Sequence, residues 1–320
     1  MDMIIKTVIA KSLLTVLIII SVNLEQGAAQ SADCISDIYT AEINDTSFHY
    51  IECGEGEPVV LVHGTLGDYR TWIGQIQPLS QNYKVISYSR RYHYPNPWPI
   101  DASDFSVNIH AEDLAAFIQS LDLGKVHLVG HSYGAYTSLM VARDYPELVR
   151  SVTLGEPPVM PLLNSTSHGK SVYQNFIKNS VIPSHNAFQN GEIEEGVKLF
   201  INGVLGEGAY TNIPPIGHIT MLQNARELMG EMNGINTKDE DSFPVFTCNE
   251  AEQMTMPVLL VEGERSPEMF GLIHDHLERC FQDVDRAFIP DASHDLKIQE
   301  PNAFSDIVIA HLQNLKMQTE

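Results

Sequence analysis

Lys125-Val126-His127-Leu128-Val129-Gly130-His131-Ser132-Tyr133-Gly134-Ala135-Tyr136-Thr137-Ser138-Leu139-Met140-Val141-Ala142-Arg143 is the stretch that decides how this chain folds. Its first five residues are a β-branched, apolar run that reads as a buried strand, and residues 135–143 read as a helix. At the junction Ser132 stands between Gly130 and Gly134. A turn this tight strains the serine backbone, exposes its hydroxyl and leaves no room for bulky neighbours. The helix that follows begins with N–H groups free to face a developing negative charge.

The rest of the chain supplies the surroundings such a turn needs. With 320 residues there is enough chain for one large α/β unit with an insertion. The formal charge of −22 repels polyanions, which argues against nucleic acid and anionic membrane surfaces as partners. A small molecule is the expected partner, and oligomeric state is not legible. There is no phosphate loop, no metal-ligand spacing and no dinucleotide fingerprint, so neither cofactor nor metal is expected. His274 and His276 lie two apart on a predicted helix and face different sides.

At the N-terminus, Lys6 and Lys11 precede the apolar run 13–20, and Gly27-Ala28-Ala29 offers small residues for cleavage after Ala29. Residues 1–29 therefore read as a secretory signal peptide, and the protein as secreted or periplasmic. A retained membrane anchor is the alternative, because residues 3–24 nearly span a bilayer. Export permits disulfides. Cys34 and Cys53 lie near the two ends of a predicted hairpin, which leaves Cys248 and Cys280 as the other pair, but four cysteines allow three connectivities or four free thiols.

From residue 35 the expected elements run in order. Strands at 35–43 and 48–53 turn at Asn44-Asp45, and an apolar strand at 58–63 leads into the loop 63–67. Asp68 caps a helix carrying Trp72, Ile76 and Leu79. A strand at 84–88 precedes an irregular loop in which Tyr92, Tyr94 and Trp98 either line an entrance or form a rigid aromatic wall. A helix at 107–121, the quoted turn and a strand at 149–154 follow. Between 157 and 252 apolar strand runs give way to helical periodicities at 172–179, 193–204 and 219–232, separated by Gly- and Pro-rich joints. Alternation then resumes with a strand at 258–262, a helix at 267–280, a strand at 286–289 and a helix at 302–315. Strands alternating with helices imply a mainly parallel sheet covered on both faces, with sites beyond the carboxyl ends of the strands.

His63-Gly64, Gly130-His131-Ser132-Tyr133-Gly134, the 258–267 segment and Ser293-His294, in that order, resemble the α/β-hydrolase superfamily over residues 35–320. The resemblance implies an α/β-hydrolase fold, a mostly parallel eight-stranded sheet flanked by helices. Its core would be 30–156 and 253–320, with a helical cap at 157–252. It also implies covalent catalysis from serine. Ser132 would be the nucleophile, activated by an imidazole that takes its proton and later returns it to the leaving group. Among thirteen histidines, His294 has the expected loop before a last helix. His131 fills the elbow, and His63 shapes its loop. Backbone N–H groups of Tyr133 and Thr65 would form the oxyanion hole.

The third group departs from the pattern. Family members place an aspartate three residues past the glycine that ends the 258–262 strand, but that position is Ser266. A serine cannot hold an imidazolium by charge, so the carboxylate must come from elsewhere. Some members draw it from the loop after the strand that follows the nucleophile helix, where Glu156 stands; Glu264, Glu262, Asp291 and Asp295 are the alternatives. The expected activity is hydrolysis of small esters. A lactonase, a carbon–carbon hydrolase, a cofactor-free perhydrolase or a non-catalytic receptor on the same scaffold are the other readings. Cap residues Phe176, Leu199, Phe200, Met221, Leu222 and Leu228 are expected to pack mostly within the cap.

Overall fold

The strands at Pro58–Val62 (β3) and Val126–His131 (β5) are apolar on both faces, and that places them at the centre of a sheet. Val60, Val62 and Leu128 turn into one hydrophobic cluster, while Val59, Leu61 and Val129 turn into another on the opposite side. The computed structural model describes residues 34–99, 105–237 and 243–319. The expected signal segment 1–29 lies outside the described residues.

Eight strands lie in the order β1-β2-β4-β3-β5-β6-β7-β8. Tyr39–Ile43 (β1) and Thr46–Cys53 (β2) form an antiparallel hairpin whose turn residues Asn44 and Asp45 have φ of 48° and 58°. β2 pairs antiparallel with Lys84–Tyr88 (β4), and every later pairing, through Val149–Gly155 (β6), Val258–Gly263 (β7) and Val284–Ile289 (β8), is parallel. Ile73–Leu79 (α1) follows a 3-10 turn capped by the Asp68 side chain. The helices Val107–Ser120 (α2) and Tyr133–Asp144 (α3) cover one face, where Leu114, Phe117 and Leu139 are buried.

Between β6 and β7 the chain runs through helices Ser167–Phe176 (α4), Ile182–Gln189 (α5), Ile193–Leu205 (α6), Pro215–Gln223 (α7), Ala225–Thr237 (α8) and Cys248–Gln253 (α9). A π-helical turn at Ile177–Val181 joins α4 to α5. Glu268–Cys280 (α10), the short Leu296–Gln299 (α11) and Pro301–Thr319 (α12) complete the fold; with α1, α12 covers the second face through Phe304, Val308 and Leu312.

Some boundaries differ from expectation. β1 starts at Tyr39 rather than residue 35, because the chain at 34–36 is helical and Cys34 is bonded to Cys53. Cys248 is bonded to Cys280, so of the three connectivities this is the one adopted. The single helix expected at 219–232 is two helices. They break at Asn224, whose side chain accepts from the Tyr94 N–H at 2.8 Å and donates to Asp68 at 2.9 Å. Among the described residues no helix is long and apolar enough to cross a membrane.

Candidate active site

Ser132 follows β5 directly and opens α3 with φ 53° and ψ −127°, a backbone that side chains rarely adopt. Three backbone hydrogen bonds hold it there: its N–H donates to Gly155 O at 2.7 Å, and its carbonyl accepts from Ala135 and Tyr136 at 2.8 and 3.0 Å. The two glycines are steric requirements. A Cβ on Gly134 would lie 2.2 Å from Val62 O and 2.4 Å from His63 O, and one on Gly130 would lie 2.5 Å from Ala135 Cα.

The loop after β8 brings His294 to this turn. Ser132 Oγ donates to His294 Nε2 at 2.9 Å, and His294 Nδ1 donates to Glu156 Oε2 at 2.6 Å. With Nδ1 committed to a carboxylate, Nε2 carries the lone pair that faces the serine hydroxyl. The imidazole stacks on Phe270, ring centroids 4.0 Å apart and planes 9° apart, so it cannot swing away. Glu156 leaves the end of β6 at φ 50° and is fully buried. Its second oxygen, Oε1, accepts from the Gly263 N–H at 2.8 Å. The carboxylate is thus fixed at both oxygens, across the end of β7.

The other acids are engaged elsewhere. Glu262 accepts from Arg286 at 2.5 Å and faces His274 at 3.3 Å. Glu264 is exposed and accepts weakly from the Asp291 N–H at 3.4 Å, Asp291 pairs with Arg265, and Asp295 pairs with Lys297 at 3.1 Å. Among the described residues, Glu156 alone of these carboxylates contacts His294.

Above Ser132 lies a narrow, mostly apolar cavity of about 50 Å³, bounded by Thr65, Tyr133 and His294 on one side and by Phe176, Phe200, Leu228 and Glu231, from the helices between β6 and β7, on the other. Tyr133 is the first residue of α3, so its N–H has no acceptor within the helix. The Thr65 N–H has no backbone acceptor among the described residues. Both residues border the cavity, and both amides have a hydrogen bond to give.

A family model for the alpha/beta hydrolase fold matches residues 57–188. Solved structures similar to this one include a thermophilic esterase from Thermogutta terrifontis, with a TM-score of 0.68 and 18% identity over 88% of this chain and 99% of that one. A carboxylesterase of Bacillus subtilis gives 0.67 and 18% over 91% and 97%. The chain has the α/β-hydrolase fold. Among curated relatives, the bifunctional epoxide hydrolase 2 of Sus scrofa is 22% identical over 295 residues, 83% of this chain and 53% of that protein. The (E)-2-((N-methylformamido)methylene)succinate hydrolase of Acinetobacter baylyi is 34% identical over 111 residues, 35% of this chain and 41% of that protein. These matches span about half the length of those two relatives or less.

Within this fold the structure places the other residues singled out by the sequence. His131 is more than elbow filler: its Nε2 donates to the His294 carbonyl at 2.6 Å and so ties the His294 loop to the turn that carries Ser132. Burial, with Lys297 and His294 nearby, holds His131 well below the usual histidine range, which keeps the ring neutral for that single bond. His63 does shape its loop, donating from Nδ1 to Gly64 O at 2.9 Å and accepting the Arg90 N–H at Nε2 at 2.9 Å. Tyr92, Tyr94 and Trp98 do not border the cavity; Tyr92 packs on Trp98 with centroids 4.9 Å apart, in a rigid wall. Of the cap residues, Phe176, Phe200 and Leu228 reach the cavity, whereas Leu199, Met221 and Leu222 do not.

One group escaped the sequence entirely. Arg90, His93, His110, Glu227 and Glu231 are all buried in a charged cluster against the wall of the cavity. His93 and Glu227 approach to 3.2 Å, His110 and Glu227 to 3.1 Å, and Arg90 lies 3.8 Å from Glu227 and 3.5 Å from Glu231. More than a hundred residues separate its two halves, so no local spacing could have signalled it.

Proposed function

We propose that this chain hydrolyses small carboxylic esters through an acyl-enzyme. Ser132 is the nucleophile, His294 the general base and then acid, and Glu156 the orienting carboxylate; the backbone N–H groups of Tyr133 and Thr65 receive the oxyanion. The observation that carries this reading is the continuous relay of 2.9 and 2.6 Å from Ser132 through His294 to Glu156, at the floor of a narrow, mostly apolar cavity. As Ser132 Oγ bonds to the ester carbonyl carbon, its proton passes to His294 Nε2 and the carbonyl π pair moves onto oxygen. Collapse of that intermediate breaks the bond to the alkoxy oxygen, which leaves as alcohol with the proton from Nε2. Water then repeats the sequence on the acyl-serine and releases the acid. The imidazolium formed in each half is stabilised by the buried Glu156 charge.

A cavity of about 50 Å³ holds a few water-sized groups, which favours a short acyl chain. Its aromatic and aliphatic lining favours an uncharged one. An enol-lactonase from Burkholderia xenovorans shares the fold, with a TM-score of 0.66 and 16% identity over 86% of this chain and 100% of that one. A lactone is an internal ester and fits the same steps. Epoxide opening through an alkyl-enzyme calls for a carboxylate nucleophile, and position 132 is serine. The cap assigned to 157–252 and export through 1–29 belong to this proposal, as do a small-molecule substrate and the exclusion of nucleic acid and stable membrane insertion. Hydrolysis of a chromogenic acetate or butyrate by the wild type, lost in Ser132→Ala, is the expected result. Tight ester binding without turnover would point instead to a receptor and overturn the reading.

A further inference from the structure

We infer that Glu231, carried by the cap helix α8, is a positioning residue that holds Thr65 and so fixes one side of the oxyanion-binding site. The inference rests on the serine-esterase reading and adds to it a residue outside the relay.

The contact is direct. Thr65 Oγ1 donates to Glu231 Oε2 at 2.7 Å, bridging the loop after β3 to the middle of α8. Thr65 and Glu231 both border the cavity that contains Ser132. Glu231 is in turn held from behind. Arg90, reaching from the end of β4, lies 3.5 Å from its other oxygen and stacks its guanidinium over the Tyr133 ring at 4.7 Å. Thus the side chains of Thr65 and Tyr133, the two residues whose amides face the oxyanion, meet one Arg90–Glu231 unit.

The charge state is set by the surroundings. Facing Glu231 are Glu227 one turn earlier on α8, Arg90 and His93 from the loop after β4, His110 from α2, Tyr133 from α3 and Thr65. Burial and the neighbouring Glu227 carboxylate hold the Glu231 carboxyl well above the usual range. Burial would raise Glu227 too, but His93 and Arg90 outweigh it and keep that group ionised. Burial and Arg90 push His110 down to about 4, and Tyr133 stays un-ionised through burial. Near neutrality one proton is therefore shared by the carboxyl pair and sits on Glu231, leaving its Oε2 to accept from Thr65.

The same geometry admits a rival. His93, Glu227 and Glu231 place ligating atoms within 4.8 Å of one another, and His93 Nε2, Glu227 Oε2 and Glu231 Oε1 are buried without a hydrogen-bond partner. Arg90, however, already supplies a fixed positive charge within 3.8 Å of both carboxylates, which opposes a divalent cation there. A proton adds one positive charge rather than two, so it meets less of that repulsion.

The test measures kcat and KM on a short chromogenic ester for Thr65→Val, Glu231→Leu, Glu231→Gln and the Thr65→Val/Glu231→Leu double variant, each checked by thermal melting. Thr65→Val keeps the amide and the side-chain shape, so it remains informative if Glu231→Leu folds poorly. Each of these two single variants should lower kcat on the order of tenfold or more, with KM moving far less. The double variant should fall no further than the worse single one, because both remove the same link. Glu231→Gln should recover most of the loss, since an amide can accept from Thr65 and donate to Glu227. Wild-type kcat in Thr65→Val, multiplying losses in the double variant, or no recovery in Glu231→Gln would overturn the inference while leaving ester hydrolysis intact. Stoichiometric zinc whose chelation abolishes activity would overturn it in favour of a metal site. Absence of hydrolysis by the wild type would overturn the underlying reading and this inference together.

Discussion

Replacing Glu156 by Gln removes one charge and nothing else of its shape, and the consequence can be worked from the site. The contacting atoms of Glu156 and His294 are 2.6 Å apart. The charge centres of a carboxylate and an imidazolium in that contact lie about 4 Å apart. At an effective dielectric of about 20 their attraction is about 4 kcal/mol. Lost from the transition state, that is about a thousandfold in rate. A second effect acts in the same direction. The Gly263 N–H needs an acceptor at the position of Oε1. A glutamine satisfies it with its carbonyl oxygen and turns its NH₂ toward His294 Nδ1. Nδ1 must then accept, the ring proton moves to Nε2, and the lone pair that should receive the Ser132 proton is gone. The expected fall in kcat is therefore about 10³- to 10⁴-fold, with KM little changed. Steady-state hydrolysis of a short chromogenic ester measures it, with thermal melting to confirm an intact fold. Glu264→Gln, at an exposed carboxylate remote from His294, serves as the control and should retain its rate. Glu156→Gln within tenfold of wild type would refute the assignment.

Acid should destabilise the fold through its buried neutral histidines. In the folded chain His110 is pushed from 6.5 down to about 4 by burial and Arg90, and His127 reaches about 4 through burial. The unfolded chain takes up these protons first, so stability present above pH 6.5 is lost as pH falls toward 4, by roughly 3 kcal/mol for a site such as His110. Melting temperatures across that window should drop steeply and less so in His110→Gln; an equal slope in both would refute the attribution. Gly134→Ala puts a Cβ 2.2 Å from Val62 O, with backbone on both sides of the clash. It should destabilise by about 1–3 kcal/mol and displace Ser132 enough to abolish measurable turnover; a fully active variant would contradict the elbow geometry. Phe200→Ala opens the cap side of the cavity. At about 0.8 kcal/mol per buried CH₂, preference should shift about tenfold or more toward acyl chains two carbons longer. An unchanged acyl-length profile would mean that Phe200 does not bound the acyl site.

The parts legible in the sequence are those whose physics is local. Residues 58–62 and 126–131 announce central parallel strands because both faces of each must be apolar. Ser132 between two glycines announces the elbow because only glycine fits where Gly134 meets Val62 and His63. Glu156 came into view only through the family resemblance: Ser266 carries no charge where members place an aspartate, and some members draw the carboxylate from the loop after β6. The cap was harder. Asn224 ends a helix by bonding to Asp68 and Tyr94, partners 130 or more residues away, so the periodicity of 219–232 runs through the break. The helix Ile182–Gln189 gave no separate signal, because its start continues the π-helical turn and carries a proline in its first turn. The Arg90–Glu227–Glu231 cluster was illegible for the same reason: its charges look like ordinary solvated residues until α8 is docked against the loop after β4.

The most direct measurement of the central claim is the site of covalent attack. Incubation with a serine-reactive phosphonate, followed by intact mass and peptide mapping, should give one adduct per chain, on Ser132. The adduct should form far more slowly in His294→Ala, because no imidazole then removes the hydroxyl proton. Labelling at another residue, or equal labelling rates with and without His294, would contradict the account.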